Sequence, residues 1–346
     1  MSSAAPSPLQ YLFDAPPASS EVREVAPGVH WIRMPLPFAL DHINLWLLED
    51  DGGFVLVDCG LGNQITRDIW EQILTQFLRG RPITKVVVTH LHPDHAGNAG
   101  WFTERYGVQL YMSQADYLMA HAWRDNTAGY TDEASLSLFR DHGLSEEKLD
   151  ELRNARSGNF RQMVPEFPMR YHRLMAGDTM TIGGRVWRML VGFGHAPEHI
   201  LLYCDSLNLL ISGDMVLPRI STNVSVHATQ PDSDPLKLFL DSLKSYLSLP
   251  TDTLVLPSHG LVFRGLHERV KQLVDHHELR LGELEEACVT PKATADVIGT
   301  LFRRKLDGHQ IWFAMGEALA HLNLLVDEGR VRRIINSGGG VQFVRT

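Results

Sequence analysis

The sequence predicts an α/β fold, on three observations. Short apolar runs recur along the chain and end in Gly, Asp or His, as in Phe54-Val55-Leu56-Val57-Asp58 and Leu209-Leu210-Ile211-Ser212-Gly213-Asp214. Apolar residues at helical spacing over 67–78 separate the first of these runs from a strand at 83–89, so strand, helix and strand follow one another. The apolar share of 44% over 346 residues provides core for one large domain and a small one.

In chain order, residues 1–20 are rich in Ala, Pro and Ser. They have neither the basic start nor the apolar stretch of a signal peptide, and read as a disordered lead. A sheet begins at residue 21, with strands over 29–34, 44–49 and 54–58; Glu49-Asp50-Asp51-Gly52-Gly53 has the turn chemistry of a hairpin between the last two. Asp58 closes the third strand ahead of Gly60 and Gly62. A carboxylate there can support a neighbouring ligand loop by hydrogen bonds.

The strand at 83–89 empties into His90-Leu91-His92-Pro93-Asp94-His95. Extended chain sends alternate side chains to one face, so His90 and His92 point the same way. Pro93 suits the first position of a helix, whose opening turn brings Asp94 and His95 toward the same point. Imidazole and carboxylate are donors that borderline metals prefer, and this loop offers more than one ion needs, so two ions are expected. The small residues Ala96-Gly97-Asn98-Ala99-Gly100 then allow close backbone approach, and a strand follows at 108–112.

Residues 113–172 leave the alternation and read as a helical insertion, rich in Met, Trp, Tyr and His. Tyr117, Met119, Trp123, Tyr130, Met163 and Phe167 are its candidates for lining a substrate pocket, since such pockets are apolar and aromatic. His121, His142 and His172 lack ligand spacing and are expected to be solvated or hydrogen-bonded.

A hairpin over 177–190, turning at Gly183-Gly184, delivers the chain to Gly192-Phe193-Gly194-His195-Ala196-Pro197-Glu198-His199. His195, in an irregular loop just past a strand, is the candidate ligand; His199 opens the next strand and is assigned a supporting role. Asp214 ends an apolar strand, where a buried carboxylate is costly unless positive charge compensates it; a pair of ions would, with Asp214 as their bridge. Leu254-Val255-Leu256-Pro257-Ser258-His259 repeats the strand-end arrangement and adds His259.

From residue 267 helices are expected over 267–288, 294–306 and 312–328, followed by a hairpin over 329–344, which together suggest a winged-helix module. Lys plus Arg equal Asp plus Glu in number from 267 to 346, so phosphate-driven binding of nucleic acid is not supported. Trp312, Phe313, Met315, Leu319, Leu322 and Leu325 form an apolar helix face too wide for a small module to cover alone. Docking on the catalytic domain, or on the second copy of a homodimer, would bury it.

The net charge of −9 argues against nucleic-acid partners and favours a small-molecule substrate. Three distant cysteines imply no disulfide framework and a reducing compartment. No apolar run reaches membrane-spanning length, so a cytoplasmic soluble protein is expected.

The set Thr-His-Leu-His-Pro-Asp-His, Gly-His-Ala-Pro-Glu-His, Ser-Gly-Asp and Pro-Ser-His-Gly resembles the metallo-β-lactamase superfamily, and its glyoxalase II-like branch more than its antibiotic-degrading one. The tail resembles that of the β-lactamase-like relatives of that branch. The resemblance covers 21–346 apart from the insertion. It implies an αβ/βα sandwich over 21–266 with the site at one edge, and a winged-helix-like domain over 267–346. It also implies one ion held by His90, His92 and His195, a second by Asp94, His95 and His259, and Asp214 bridging both. Cys59 stands where many relatives carry Thr or Ser.

Zinc is the first expectation for both ions, with iron and manganese also suited to these donors. Two ions about 3.5–4 Å apart lower the pKa of a bridging water and polarise a carbonyl, giving a binuclear hydrolase. Asp94 orients the hydroxide, and Asp58 is grouped with it at the reacting centre. The expected substrate is an ester, thioester or lactone with an apolar portion. A nuclease acting on RNA or single-stranded nucleic acid is the runner-up, and an iron-dependent persulfide dioxygenase a third reading. Flavodiiron reductases generally carry Glu at the position of His92, so the histidine favours hydrolysis over redox chemistry.

Overall fold

The computed structural model describes residues 9–155 and 160–346. It opens on β1 (Gln10–Tyr11), which pairs antiparallel with Phe263–Arg264. Phe13 meets Trp31 with ring centroids 5.9 Å apart, and the Arg23 guanidinium donates to the Ala15 carbonyl at 2.7 Å. The expected disordered lead is thus corrected over 9–20, while 1–8 lies outside the described residues. Two paired residues carry no readable periodicity, which is why composition misjudged them.

Two seven-stranded sheets follow. The first orders β2 (Arg23–Ala26), β3 (Val29–Pro35), β4 (His42–Asp50), β5 (Gly53–Val57), β6 (Ile83–Val87), β7 (Leu110–Met112) and β8 (Tyr171–Arg173) side by side in sequence order. Its first four strands are antiparallel neighbours and β5 to β8 run parallel. The second runs β1-β14-β13-β12-β11-β10-β9, from β9 (Thr179–Ile182), β10 (Arg185–Gly192), β11 (His199–Cys204), β12 (Leu209–Gly213), β13 (Leu254–Pro257) and β14 (Phe263–Arg264).

The sheets face each other, and strands buried on both faces read as continuous apolar runs because each face has its own core to fill. In β4, Trp46 and Leu48 point between the sheets, where Trp31, Val57, Met189, Ile200, Ile211 and Leu256 meet them. Ile43, Leu45 and Leu47 point outward onto α1 (Gln64–Ile73), α2 (Pro93–Ala96) and α3 (Ala99–Tyr106), which supply Ile69, Trp70, Ala96 and Phe102. The Asn63 side chain starts α1 by accepting the Thr66 N–H at 2.8 Å. On the outer face of the second sheet, Leu201, Tyr203, Leu210 and Val255 pack on α8 (Pro235–Ser245) and α9 (Leu266–Ala287). Helix, sheet, sheet, helix is the αβ/βα sandwich.

The 113–172 segment is helical but is not a separate excursion. It contains α4 (Gln114–Arg124), α5 (Asp132–Asp141), α6 (Glu146–Ala155) and α7 (Phe160–Met163), and ends as β8, parallel to β7. It is therefore the crossover between neighbouring parallel strands. A three-residue strand is too short to announce itself by alternation. Its helices split: Met119, Ala120 and Phe160 join the outer core of the first sheet, whereas Leu136, Phe139, Leu149 and Leu152 join the core on the far side of the second.

There they meet the C-terminal module, made of α9, α10 (Thr294–Leu301), α11 (Gly308–Asp327), β15 (Val331–Ile335) and β16 (Val341–Arg345). Lys292 bridges back to Phe343 of the hairpin. Met315, Leu319, Leu322 and Leu325 of α11 are buried against α5, α6, α8 and α9, and Phe139 meets Trp312 edge to face at 5.2 Å. The apolar face expected to need a partner is covered by the same chain. Phe313 is the exception, 43% exposed on the opposite side of the helix. Cys59, Cys204 and Cys288 are free thiols, all buried. Among the described residues no helix is long and apolar enough to cross a membrane.

Candidate metal centre

Strand ends from both sheets place the site at one edge of the sandwich. β6 delivers His90 and His92, and the first turn of α2, begun by Pro93, delivers Asp94 and His95. His195 follows β10, Asp214 follows β12 and His259 follows β13. His90, His92, His195 and Asp214 bring one donor atom each within 4.8 Å of one another; Asp94, His95 and His259 do the same. The Asp214 carboxylate lies between the two sets, with Oδ2 3.3 Å from His195 Nε2 and Oδ1 3.4 Å from His259 Nε2 and 3.6 Å from His95 Nε2. Asp94 Oδ2 is 3.6 Å from His259 Nε2. All seven residues expected as ligands meet at one place.

The far side of each imidazole decides what it offers inward. His195 Nδ1 donates to the Asn223 carbonyl at 2.7 Å, and His259 Nδ1 to the His42 carbonyl at 2.6 Å. A carbonyl only accepts, so in both rings the proton sits outward and the Nε2 lone pair points into the site. His95 Nδ1 faces the Asp58 carboxylate at 2.8 Å, with the same result. His90 Nε2 lies 2.8 Å from His92 Nδ1 and 3.2 Å from His195 Nε2, three ring nitrogens aimed at one point. His95 Nε2 and Asp214 Oδ1 are buried with no hydrogen-bond partner in the chain. Orphaned donors of this kind, on mixed nitrogen and oxygen ligands, are what divalent ions satisfy, so the residues fit two such ions.

Charge follows the same division. Burial, helped by the neighbouring imidazoles, holds His90 and His92 well below the usual histidine range, in the neutral form that ligates. Burial also opposes charge on His95 and His259, but the carboxylates of Asp58, Asp94 and Asp214 around His95, and of Asp214 and Asp94 around His259, outweigh it and push both upward. In the ion-free chain a second proton, on the inward Nε2, is therefore held to higher pH in these two rings than in an ordinary imidazole. An ion must displace those protons, so binding releases them and weakens as pH falls. Zinc affinity by chelator competition is expected to be lower at about pH 6 than at about pH 8. Equal affinity at the two would contradict this account.

Supporting residues tie the ligand loops together. Asp58, adopting φ 60°, accepts from the Thr89 N–H at 2.8 Å and the Thr89 hydroxyl at 2.9 Å while backing His95. It therefore acts through His95, which corrects its placing among the reacting groups. His199 is buried, stacks on His90 at 4.6 Å and accepts the Asp214 N–H at 3.1 Å through Nε2. Gly213 makes this contact feasible: a Cβ there would stand 2.2 Å from the His199 ring.

Three more residues gave no readable signal in the sequence. Asp116, at the start of α4, accepts from Leu91 N–H at 3.0 Å and Glu198 N–H at 2.7 Å, joining the His90 and His195 loops. Burial pushes its carboxyl up to about 6, although those two N–H groups and Ser113 pull it back. His42 Nε2 accepts the Gly260 N–H at 2.8 Å, and Asn44 donates to the Pro257 and Gly260 carbonyls, which fixes the His259 loop to the first sheet.

The expected pocket lining divides. Tyr117 stacks on Tyr171 at 3.8 Å and packs on Phe167; both candidates are 8% exposed and belong to the core, as does Met119. Tyr130 and Met163 pack on that same core from its rim. Trp123 lies edge to face with His227 at 5.4 Å, and His227 belongs to the segment that carries Asn223. His90 and His95 are fully buried while His92 and Asp94 are partly exposed, so the site opens over α2.

Residues 39–259 match the metallo-beta-lactamase superfamily. The chain belongs to this superfamily. Residues 281–346 match the metallo-beta-lactamase-like C-terminal domain. A beta-lactamase domain protein from Burkholderia ambifaria is 46% identical and superposes with a TM-score of 0.91 over 98% of both chains. A metallo-beta-lactamase family protein from Thermus thermophilus is 30% identical, with a TM-score of 0.79 over 93% of this chain and 100% of its own. Among curated proteins, the probable metallo-hydrolase YqjP of Bacillus subtilis is 25% identical over 306 residues, 86% of this chain and 92% of its own length. The first match spans all seven donor positions, and the second spans the last two helices and the closing hairpin.

Proposed function

We propose that this chain is a binuclear metal-dependent hydrolase of esters, thioesters or lactones that carry an apolar portion. The observation that carries the reading is the Asp214 carboxylate set between two donor groups whose imidazoles are held with their lone pairs inward. His90, His92 and His195 would hold one ion and Asp94, His95 and His259 the other, with Asp214 shared. Bound there, divalent ions supply water acidified toward neutrality and Lewis acidity for a carbonyl. The chain's own groups do the rest. Asp94, partly exposed at the mouth, would orient an incoming water by accepting its hydrogen bond, and Trp123 with His227 offers an aromatic wall beside the opening. Superfamily membership and a curated relative named as a probable metallo-hydrolase support hydrolysis.

The substrate class rests on the net charge of −9, which disfavours long polyanions, and on that aromatic wall. The test is a panel of acyl thioesters, aryl esters and homoserine lactones run beside single-stranded RNA and DNA on zinc-, manganese- and iron-loaded protein. Turnover is expected on one of the acyl classes. Nuclease turnover without ester cleavage, or oxygen consumption with a persulfide on iron-loaded protein alone, would replace this reading by the corresponding alternative.

A further inference from the structure

The segment between β12 and α8 holds two of the ligand positions, and the C-terminal module holds the segment. The Thr222 hydroxyl donates to the Asp214 carbonyl, and the Asn223 carbonyl accepts the His195 Nδ1 proton at 2.7 Å. Over 222–227 burial alternates: Thr222, Val224 and Val226 face inward, while Asn223, Ser225 and His227 are partly exposed on the other side. Nothing within the segment fixes it as a strand, since its residues pair with no sheet. Its anchors come from α9 and α11. The buried Arg269 guanidinium donates to the Leu217 carbonyl at 2.6 Å and the Ile220 carbonyl at 2.8 Å. The Gly316 carbonyl accepts the Val226 N–H at 3.2 Å. Gly316 lets α11 come this close, since a Cβ there would stand 2.7 Å from the Ser225 hydroxyl.

One residue further, Glu317 Oε2 accepts from the Asn223 side-chain amide at 2.9 Å, and the Ser225 hydroxyl donates to Asn223 Oδ1 at 2.7 Å. Asn223 is therefore gripped at both ends of its amide. Its backbone carbonyl, the group that sets the His195 tautomer, moves with it. We propose that Glu317 is a positioning residue of the metal centre: by gripping Asn223, α11 of the C-terminal module fixes the carbonyl that presents His195 Nε2 to an ion. The carboxylate touches neither a ligand nor the reacting atoms. It acts through two intervening contacts, and the module becomes part of the site without contributing a donor to it. Outer contacts of this kind orient a ligating imidazole and change metal affinity when removed.

The inference rests on the two-ion reading above, so the test begins with wild-type protein titrated with zinc against a competing chelator. Glu317→Ala and Asn223→Ala are expected to weaken one of the two zinc equivalents by about tenfold to a hundredfold, leaving the other near its wild-type value. Glu317→Gln keeps an oxygen for the Asn223 amide and is expected to restore most of the affinity, which a requirement for negative charge in α11 would not predict. Asn223→Ala carries the comparison if Glu317→Ala does not fold. Wild-type zinc affinity at both equivalents in both alanine variants overturns the proposal. So does a rise in KM at unchanged metal affinity, which would mean that Glu317 meets the substrate. A wild-type protein that binds no zinc, manganese or iron removes the two-ion reading itself, and this inference with it.

Discussion

Asp214→Ala is expected to lower hydrolytic activity by well over a hundredfold, the upper range of what outer contacts alone cause, and to leave the purified protein with markedly less metal. The reason lies in where the carboxylate sits. It is 7% exposed, closes a strand whose other residues are fully buried, and faces His195 on one side and His95 and His259 on the other. Those imidazoles, His259 and His95 foremost, hold its carboxyl well below the usual carboxylate range even though burial opposes the charge. The alanine chain loses the carboxylate that lies between the two sets. His90→Ala, by contrast, removes a donor from one set and is expected to retain metal at the Asp94, His95 and His259 set. Elemental analysis and turnover on the same preparations check both. A fully metallated, active Asp214→Ala protein would end the case for a shared ligand.

Asp58→Ala is expected to cost stability and metal together. The carboxylate is 1% exposed and bonds Thr89 twice and His95 once, so its removal leaves a buried N–H, a hydroxyl and an imidazole without their acceptor. Breaking a buried pair by deleting one partner costs on the order of 3–5 kcal/mol, and loss of a contact behind a ligating histidine costs about tenfold to a hundredfold in metal affinity. Asp58→Asn keeps an acceptor for the Thr89 N–H but lacks the charge facing His95, and should fall between. Urea unfolding of metal-free protein reads the first cost and zinc titration the second. Unchanged midpoints in Asp58→Ala would mean that the loop is held by something else.

The seven donor residues were legible because each comes shortly after an apolar strand and because Pro93 marks a helix start beside Asp94 and His95. Those are local rules, and they survive folding. β6 itself ends at Val87, so His90 and His92 lie in the bend past the strand and not on its alternating face. The contacts between donors and their supports are not local. Asn223 is 28 residues from His195 in sequence and Glu317 is 94 from Asn223. Neither pair has a pattern that could announce it. The same limit explains β1 and β8, whose two and three residues are strands only because a sheet edge was waiting for them. It also explains Tyr117 and Phe167, aromatic residues in the stretch expected to line a pocket, which pack on each other, with Tyr117 stacked on Tyr171.

By itself the sequence determined the alternation of strands and helices, the order of the strands that lead to the donor residues, and the chemical kind of those donors, since apolar runs and donor type are properties of neighbouring residues. Tertiary structure alone decided which nitrogen of each histidine points inward, which helices the 113–172 segment serves, and what covers α11. Those depend on carbonyls, carboxylates and apolar faces brought together from distant parts of the chain. The energy of such contacts is fixed by distance in space, and separation along the sequence leaves no trace of it.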